Sequence, residues 1–242
     1  MSHFSATRVK NQSHEVTAPI APPVVVDRIG IGSIDSFSDE GRKSTGLPLI
    51  RASIAKAPGA DVSREYQRSV CRTLIQEMLE DRLIGEFAAG AETAWTLKSS
   101  ETGAPRLVHR GLSPSIHVSL AHSGPWIAVA LARGARVGID IEQKKPRANV
   151  AAMAEYMGWA DRVTDLNGFL SRWTLWEACV KLEESSIFNG ENAAFDALGK
   201  NRSNEALYES GTWASLNRNL KEGAFLALAI HRNGRQPLEI KG

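Results

Sequence analysis

Between Ile116 and Glu142 three extended, apolar-rich runs follow one another closely: Ile116–Leu120, Trp126–Ala132 and Val137–Glu142. They are separated by Gly124-Pro125 and by Arg133-Gly134, residues that punctuate a chain. Strands spaced this closely leave none of the regular βαβ intervals that a doubly wound parallel sheet requires. Helical patterns stand to either side, at Asp61–Glu80 before the run and at Val150–Met157 and Gly168–Glu183 after it. Further strands are expected at Val24–Ile34 and Trp95–Lys98, with turns marked by Gly103, Pro105, Gly111 and Pro114. Thr212–Leu216 and Ala224–His231 read as a closing hairpin. The expected fold class is α+β.

The helix Asp61–Glu80 shows its buried face plainly. Val62, Tyr66, Val70, Leu74 and Met78 recur every four residues, with Cys71, Ile75 and Leu79 beside them. Arg64, Arg68 and Arg72 make a second row, which is either a solvated basic face or a phosphate-binding one. Gly30-Ile31-Gly32 is not a dinucleotide fingerprint, because the third glycine and the following helix are missing.

Composition removes several function classes. With 242 residues the chain has room for one large domain or two small ones. A net charge of +2 gives no footprint for nucleic acid. No apolar run reaches the roughly 20 residues of a membrane span, and no secretory signal is visible. Cys71 and Cys179 make neither a disulfide framework nor a zinc site. A cytoplasmic monomer, with no nucleic-acid or membrane partner, is the expectation. Residues 1–23 are polar and end in a proline-rich stretch, which reads as a flexible tail.

Along the strand Val137–Glu142 side chains alternate faces. Val137, Ile139 and Ile141 share one face; Gly138, Asp140 and Glu142 share the other. Two carboxylates that close repel unless a cation joins them, and hard oxygen ligands suit Mg²⁺. A wet acidic face is the alternative. On the helix Gly168–Glu183, Phe169, Trp173, Trp176 and Val180 form a core stripe. Glu177 lies at its rim with Lys181 one turn on, as a surface ion pair or as the border of a cleft. His122 ends a strand at a tight turn, solvated or facing an anion.

The order His122, Asp140, Glu142, Glu177, Lys181 resembles the 4′-phosphopantetheinyl transferases, in particular their larger, surfactin-synthetase-activating type. The resemblance is carried by Gly138-Ile139-Asp140, by Trp173-Thr174-Leu175-Trp176-Glu177-Ala178-Cys179-Val180-Lys181, by Ser119-Leu120-Ala121-His122-Ser123 and by the turn Gly103-Ala104-Pro105. It extends from about Arg64 to Lys181. It implies a pseudo-dimer of two similar α/β halves, residues 24–115 and 116–242, with coenzyme A between them. The implied reaction is that of a holo-[acyl-carrier-protein] synthase type of enzyme. Phosphopantetheine passes from coenzyme A to a serine of an apo acyl or peptidyl carrier protein, releasing adenosine 3′,5′-bisphosphate. The implied setting is polyketide or nonribosomal peptide biosynthesis.

The resemblance also implies roles. Asp140, Glu142 and Glu177 hold Mg²⁺, and Asp140, Glu177 and Lys181 form the catalytic set. Glu177, or a water on the metal, takes the serine proton, and Lys181 meets the diphosphate. His122, Ser123, Lys181, Arg64, Arg68, Gly103 and Pro105 bind coenzyme A. The chain departs from the family pattern where Trp176, Ala104 and Ala121 stand for two lysines and a serine, and where Glu183-Glu184-Ser185 replaces glycines. These departures motivate an alternative: a degenerate relative that binds coenzyme A or a carrier without efficient catalysis. A Mg²⁺-dependent phosphoester hydrolase using the same acids is the third reading.

Overall fold

A computed structural model of the chain describes residues 22–32, 48–59, 62–80, 95–101, 103–109, 116–147, 149–185, 192–200, 205–221, 223–234 and 237–241. Most of the expected tail (residues 1–21), the expected turn residues Gly111 and Pro114, and position 115 lie outside them. Among the described residues the fold mixes four helices with eleven strands in antiparallel sheets.

One sheet has the order β11-β1-β2-β6-β5, from β1 (Val24–Gly32), β2 (Leu49–Lys56), β5 (Ile116–Ser123), β6 (Trp126–Arg133) and β11 (Glu239–Lys241). A second has the order β7-β10-β9-β8, from β7 (Ala135–Gln143), β8 (Leu207–Ser210), β9 (Trp213–Leu220) and β10 (Ala224–Arg232). A small ribbon pairs β3 (Trp95–Ser99) with β4 (Pro105–His109). The inner faces of the two large sheets share a core of Ile31, Ile54, Ala130, Ile139, Ile141, Leu228 and Ile230, all essentially buried. Aliphatic residues alternating along each strand produce that core, with their neighbours pointing outward.

Each outer face carries a helix. Helix α1 (Arg64–Glu80) lays Val70, Leu74, Ile75 and Met78 on Ile127, Val129 and Leu131 of β6. Strand β6 is therefore buried along its whole length. Helix α3 (Leu166–Glu183) covers the second sheet, together with α2 (Val150–Tyr156) and α4 (Ala193–Leu198). Trp176 is 5% exposed and sits edge-on to Phe195 at 4.9 Å and to Trp159 at 6.3 Å. Phe169 stacks with Trp173 at 5.8 Å. Each such ring pair adds about 0.5–1.5 kcal/mol beyond area burial, so the tryptophan stripe fixes the rotation of α3.

The ends of α3 are specified as well. Asp165 accepts the Gly168 N–H at 2.7 Å, a cap contributing about 1 kcal/mol. At the other end Glu184 lies in the left-handed region at φ 52°, and the Ser185 N–H returns to Val180 O at 3.0 Å. Glycine takes that backbone position without strain. Here the glutamate ties α3 to β4 through Arg106, at 2.6 Å.

The two large sheets meet along β5 and β7. Ser119 Oγ accepts the Ile139 N–H and Ser123 Oγ accepts the Gln143 N–H, both at 3.0 Å. These two serines, four residues apart, stitch neighbouring strand edges that share no backbone ladder. None of the helices among the described residues is long and apolar enough to cross a membrane.

Candidate active site

Gly138 sets the distance between β7 and α3. A Cβ at this position would stand 1.9 Å from Ala178 O and 2.7 Å from Leu182 N, both backbone atoms of α3. The helix therefore rests directly on the strand, and Lys181 reaches Asp140 on it. Its Nζ donates to Asp140 Oδ1 at 2.7 Å and to Ile139 O at 3.2 Å. Asp140 is 4% exposed, and its second oxygen, Oδ2, is buried with no hydrogen-bond partner. Burial pushes the Asp140 carboxyl up to about 7, against the pull of Lys181 and with the added push of Glu177 and Glu142.

Glu142 lies two residues further along the same strand face. Its Oε2 accepts from Arg147 Nη2 at 2.6 Å and from Ser123 Oγ at 2.9 Å. Glu177 faces both strand acids from α3. Burial raises it above the usual carboxylate range; Lys181 opposes that shift and Glu142 adds to it. The three acids thus repel one another, with Lys181 and Arg147 as the cations paired to two of them.

The β3–β4 ribbon roofs two cavities. One, of about 560 Å³, is lined by Arg64, Arg68 and Arg72 from α1, by Lys98, and by Gly103, Pro105, Ala121 and His122. The His122 ring is held below its ordinary value by its partial burial, then by Lys181 and Arg64. Cys71 also borders this cavity, and burial pushes its thiol up to about 11, which leaves it a packing residue and not a nucleophile. The second cavity, of about 410 Å³, lies between β4, β5, β7 and the end of α3. Lys181, Arg106, Arg136, His117 and Glu184 line it. In that cavity burial lowers His117, and Arg106 and Arg136 lower it further.

The structure brings Asp140, Glu142, Glu177 and Lys181 within electrostatic reach of one another, and Arg64, Arg68, Gly103, Pro105 and His122 to one cavity beside them. Ser123 joins the acids through Glu142. Trp176 is a packing residue, as its place in the apolar stripe predicts. The sequence reading missed Ser119 as a link between sheets and Arg147 as the partner of Glu142. The four-residue interval from Ser119 to Ser123, on one strand face, was the available signal for the first. Nothing in the sequence around Arg147 marked the second.

The donor chemistry fits a hard divalent cation. Every candidate ligand is a carboxylate, and Asp140 Oδ2 is a buried acceptor that no group among the described residues satisfies. Among the described residues no three His, Cys, Asp or Glu side chains stand close enough together to enclose a metal ion. The acids approach one another, but Asp140 Oδ1 and Glu142 Oε2 each hold a side-chain cation.

Comparison with known proteins bears on what this cleft serves. The chain is similar to 4′-phosphopantetheinyl transferases. It is 34% identical over 145 residues to a putative 4′-phosphopantetheinyl transferase of Haemophilus influenzae, covering 54% of this chain and 58% of that protein. It is 35% identical over 128 residues to the 4′-phosphopantetheinyl transferase psf-1 of Bacillus pumilus, covering 49% and 52%. The chain spans a little over half the length of these curated relatives. No family model matches it. The likeness supports the superfamily that the sequence motifs resemble.

Proposed function

We propose that this chain transfers phosphopantetheine from coenzyme A to a serine hydroxyl of an apo acyl or peptidyl carrier protein, releasing adenosine 3′,5′-bisphosphate. The observation that carries the reading is the convergence of Asp140, Glu142, Glu177 and Lys181 beside a cavity rich in arginine. The similarity to two named transferases supports it.

The residues divide the work. Arg64, Arg68 and His122 face the 560 Å³ cavity and meet a phosphate of the nucleotide end, with Gly103 and Pro105 forming its wall. Lys181 turns from Asp140 to the diphosphate as a compact charge. Glu177, raised by burial and set on α3 opposite the strand acids, takes the proton from the carrier serine. The serine oxygen then forms a bond to the phosphorus that bears pantetheine. The bond from that phosphorus to the bridging diphosphate oxygen breaks, and the leaving bisphosphate keeps the electron pair. Asp140, Glu142 and Glu177 would hold Mg²⁺ once Lys181 and Arg147 release two of them, and the bound ion would neutralise diphosphate charge and stabilise the leaving oxygen.

A second reading is favoured by one observation: two of the three acids are already paired to Lys181 and Arg147. On that reading the chain binds coenzyme A or a carrier without efficient transfer. Intact-protein mass spectrometry of a panel of apo carriers, incubated with coenzyme A and Mg²⁺, separates the two. Gain of a phosphopantetheine mass supports transfer. Binding with no mass gain on any carrier leaves the second reading.

A further inference from the structure

Glu142 offers one carboxylate oxygen to two donors at once. Arg147 Nη2 is 2.6 Å from Oε2, and Ser123 Oγ is 2.9 Å from the same atom. The Arg147 and Glu142 side chains are 20% and 14% exposed, so their contact is largely shielded from solvent. A charge-assisted contact in such a place is far less screened than a surface pair. Yet Arg147 Nε is buried there and makes no hydrogen bond, so the guanidinium leaves a desolvated donor unused. Asp140 differs from Glu142. Lys181 holds its Oδ1, and Oδ2 stays unpartnered.

We propose that Arg147 is a positioning residue that competes with a divalent cation for Glu142. This rests on the reading that Asp140, Glu142 and Glu177 are the metal ligands. While the guanidinium holds Oε2, that oxygen has no lone pair well aimed at a third partner, and a positive charge stands at the rim of the metal position. Asp140 Oδ2 and Glu177 engage the cation first, and Glu142 completes the set as Arg147 swings out. Arg147 stands four residues past the end of β7, after the exposed Lys144, Lys145 and Pro146, and belongs to no helix or strand. The site is therefore tuned to weak resting affinity for metal and gains its third ligand at the cost of one ion pair.

The test is direct Mn²⁺ binding to the full chain, read from the spectroscopic signal of free Mn²⁺ at fixed ionic strength. Arg147→Met should bind Mn²⁺ about tenfold more tightly than the parent, the step that about 1.4 kcal/mol produces. Arg147→Lys keeps the charge and should stay within about threefold. Lys145→Met removes an exposed charge nearby and should change affinity by less than about twofold. A purely structural Arg147 predicts equal or weaker binding in Arg147→Met, and that result overturns the proposal. So does a gain in Lys145→Met as large as that in Arg147→Met, which would assign the effect to long-range charge. If Arg147→Met fails to fold, Arg147→Gln carries the same expectation and the same refutation. A parent that binds no Mn²⁺ overturns this proposal and the metal assignment together. Phosphopantetheine transfer is read separately, by carrier mass, and stands or falls there.

Discussion

Replacing Gly138 with alanine adds one methyl group where α3 lies against β7. The new carbon would stand 1.9 Å from Ala178 O, 2.7 Å from Leu182 N and 3.0 Å from Ala178 C. All three are main-chain atoms in the last two turns of α3, so no side chain can rotate to make room. Overpacking of this kind costs about 1–3 kcal/mol and more where backbone must move. To restore an ordinary contact near 3.4 Å the helix must retreat by roughly 1.5 Å, a shift it can make only by loosening Ala178, Cys179 and Leu182 from the core. Lys181 lies between the two clashing residues, so its 2.7 Å contact with Asp140 goes with them. A misplacement of about 1 Å at reacting groups costs on the order of 100-fold in rate. Thermal melts and carrier-modification rates on Gly138→Ala should therefore show a loss of about 3 kcal/mol or more and a loss of transfer in whatever remains folded. Gly59→Ala, with nothing within 4 Å of its added carbon, should fall within about 0.5 kcal/mol of the parent. A Gly138→Ala protein as stable and as active as the parent would refute the argument that this glycine sets the approach of α3.

Trp176→Lys, which restores the residue of the family pattern, should lose the edge-on contacts with Phe195 and Trp159 and destabilise by about 3–5 kcal/mol, without tightening coenzyme A binding. A variant as stable as the parent, with tighter and salt-sensitive binding of coenzyme A, would mean that position 176 faces the cleft. His117 is depressed in the fold, so the unfolded chain binds the extra proton first. Its contribution is present above the ordinary histidine value and is lost as pH falls through the depressed one. Between about pH 7 and pH 5 the melting temperature of His117→Gln should fall less than that of the parent. An identical fall in both proteins would remove His117 as a source of acid sensitivity.

The strand and the helix that carry the acids were more legible in the sequence than the sheets around them. The alternation Val137, Ile139, Ile141 against Gly138, Asp140, Glu142 is a two-residue period, and the structure keeps it: the aliphatics join the inter-sheet core and the acids face α3. The helix Gly168–Glu183 announces itself by its aromatic stripe, and the observed element starts two residues earlier, at Leu166. Strand β2 went unread because Ala52, Ser53 and Ala55 dilute its β-branched residues, although burial on both sides selects such small side chains. Strands β4, β8 and β11 and helix α4 are three to six residues long, too short for a period to register. The layering of two sheets between helices depends on pairings such as β1 with β11 and β2 with β6, far apart in the chain. No local pattern encodes such partners. Arg147 escaped for a related reason: its contact with Glu142 depends on how the segment after β7 folds back, not on a motif.

The most direct measurement follows both products of one reaction. The full chain, coenzyme A, Mg²⁺ and an apo carrier are combined, and the carrier's intact mass and free adenosine 3′,5′-bisphosphate are quantified together over time. Transfer predicts that the two rise in equal amounts, that the modified residue is a serine, and that chelation stops both. It predicts the same silence from Asp140→Ala and from Glu177→Gln when these melt as folded proteins. Bisphosphate released with no gain of carrier mass would contradict the account and point to hydrolysis. Undiminished transfer by Glu177→Gln would contradict the role given to the acids at the centre of the cleft.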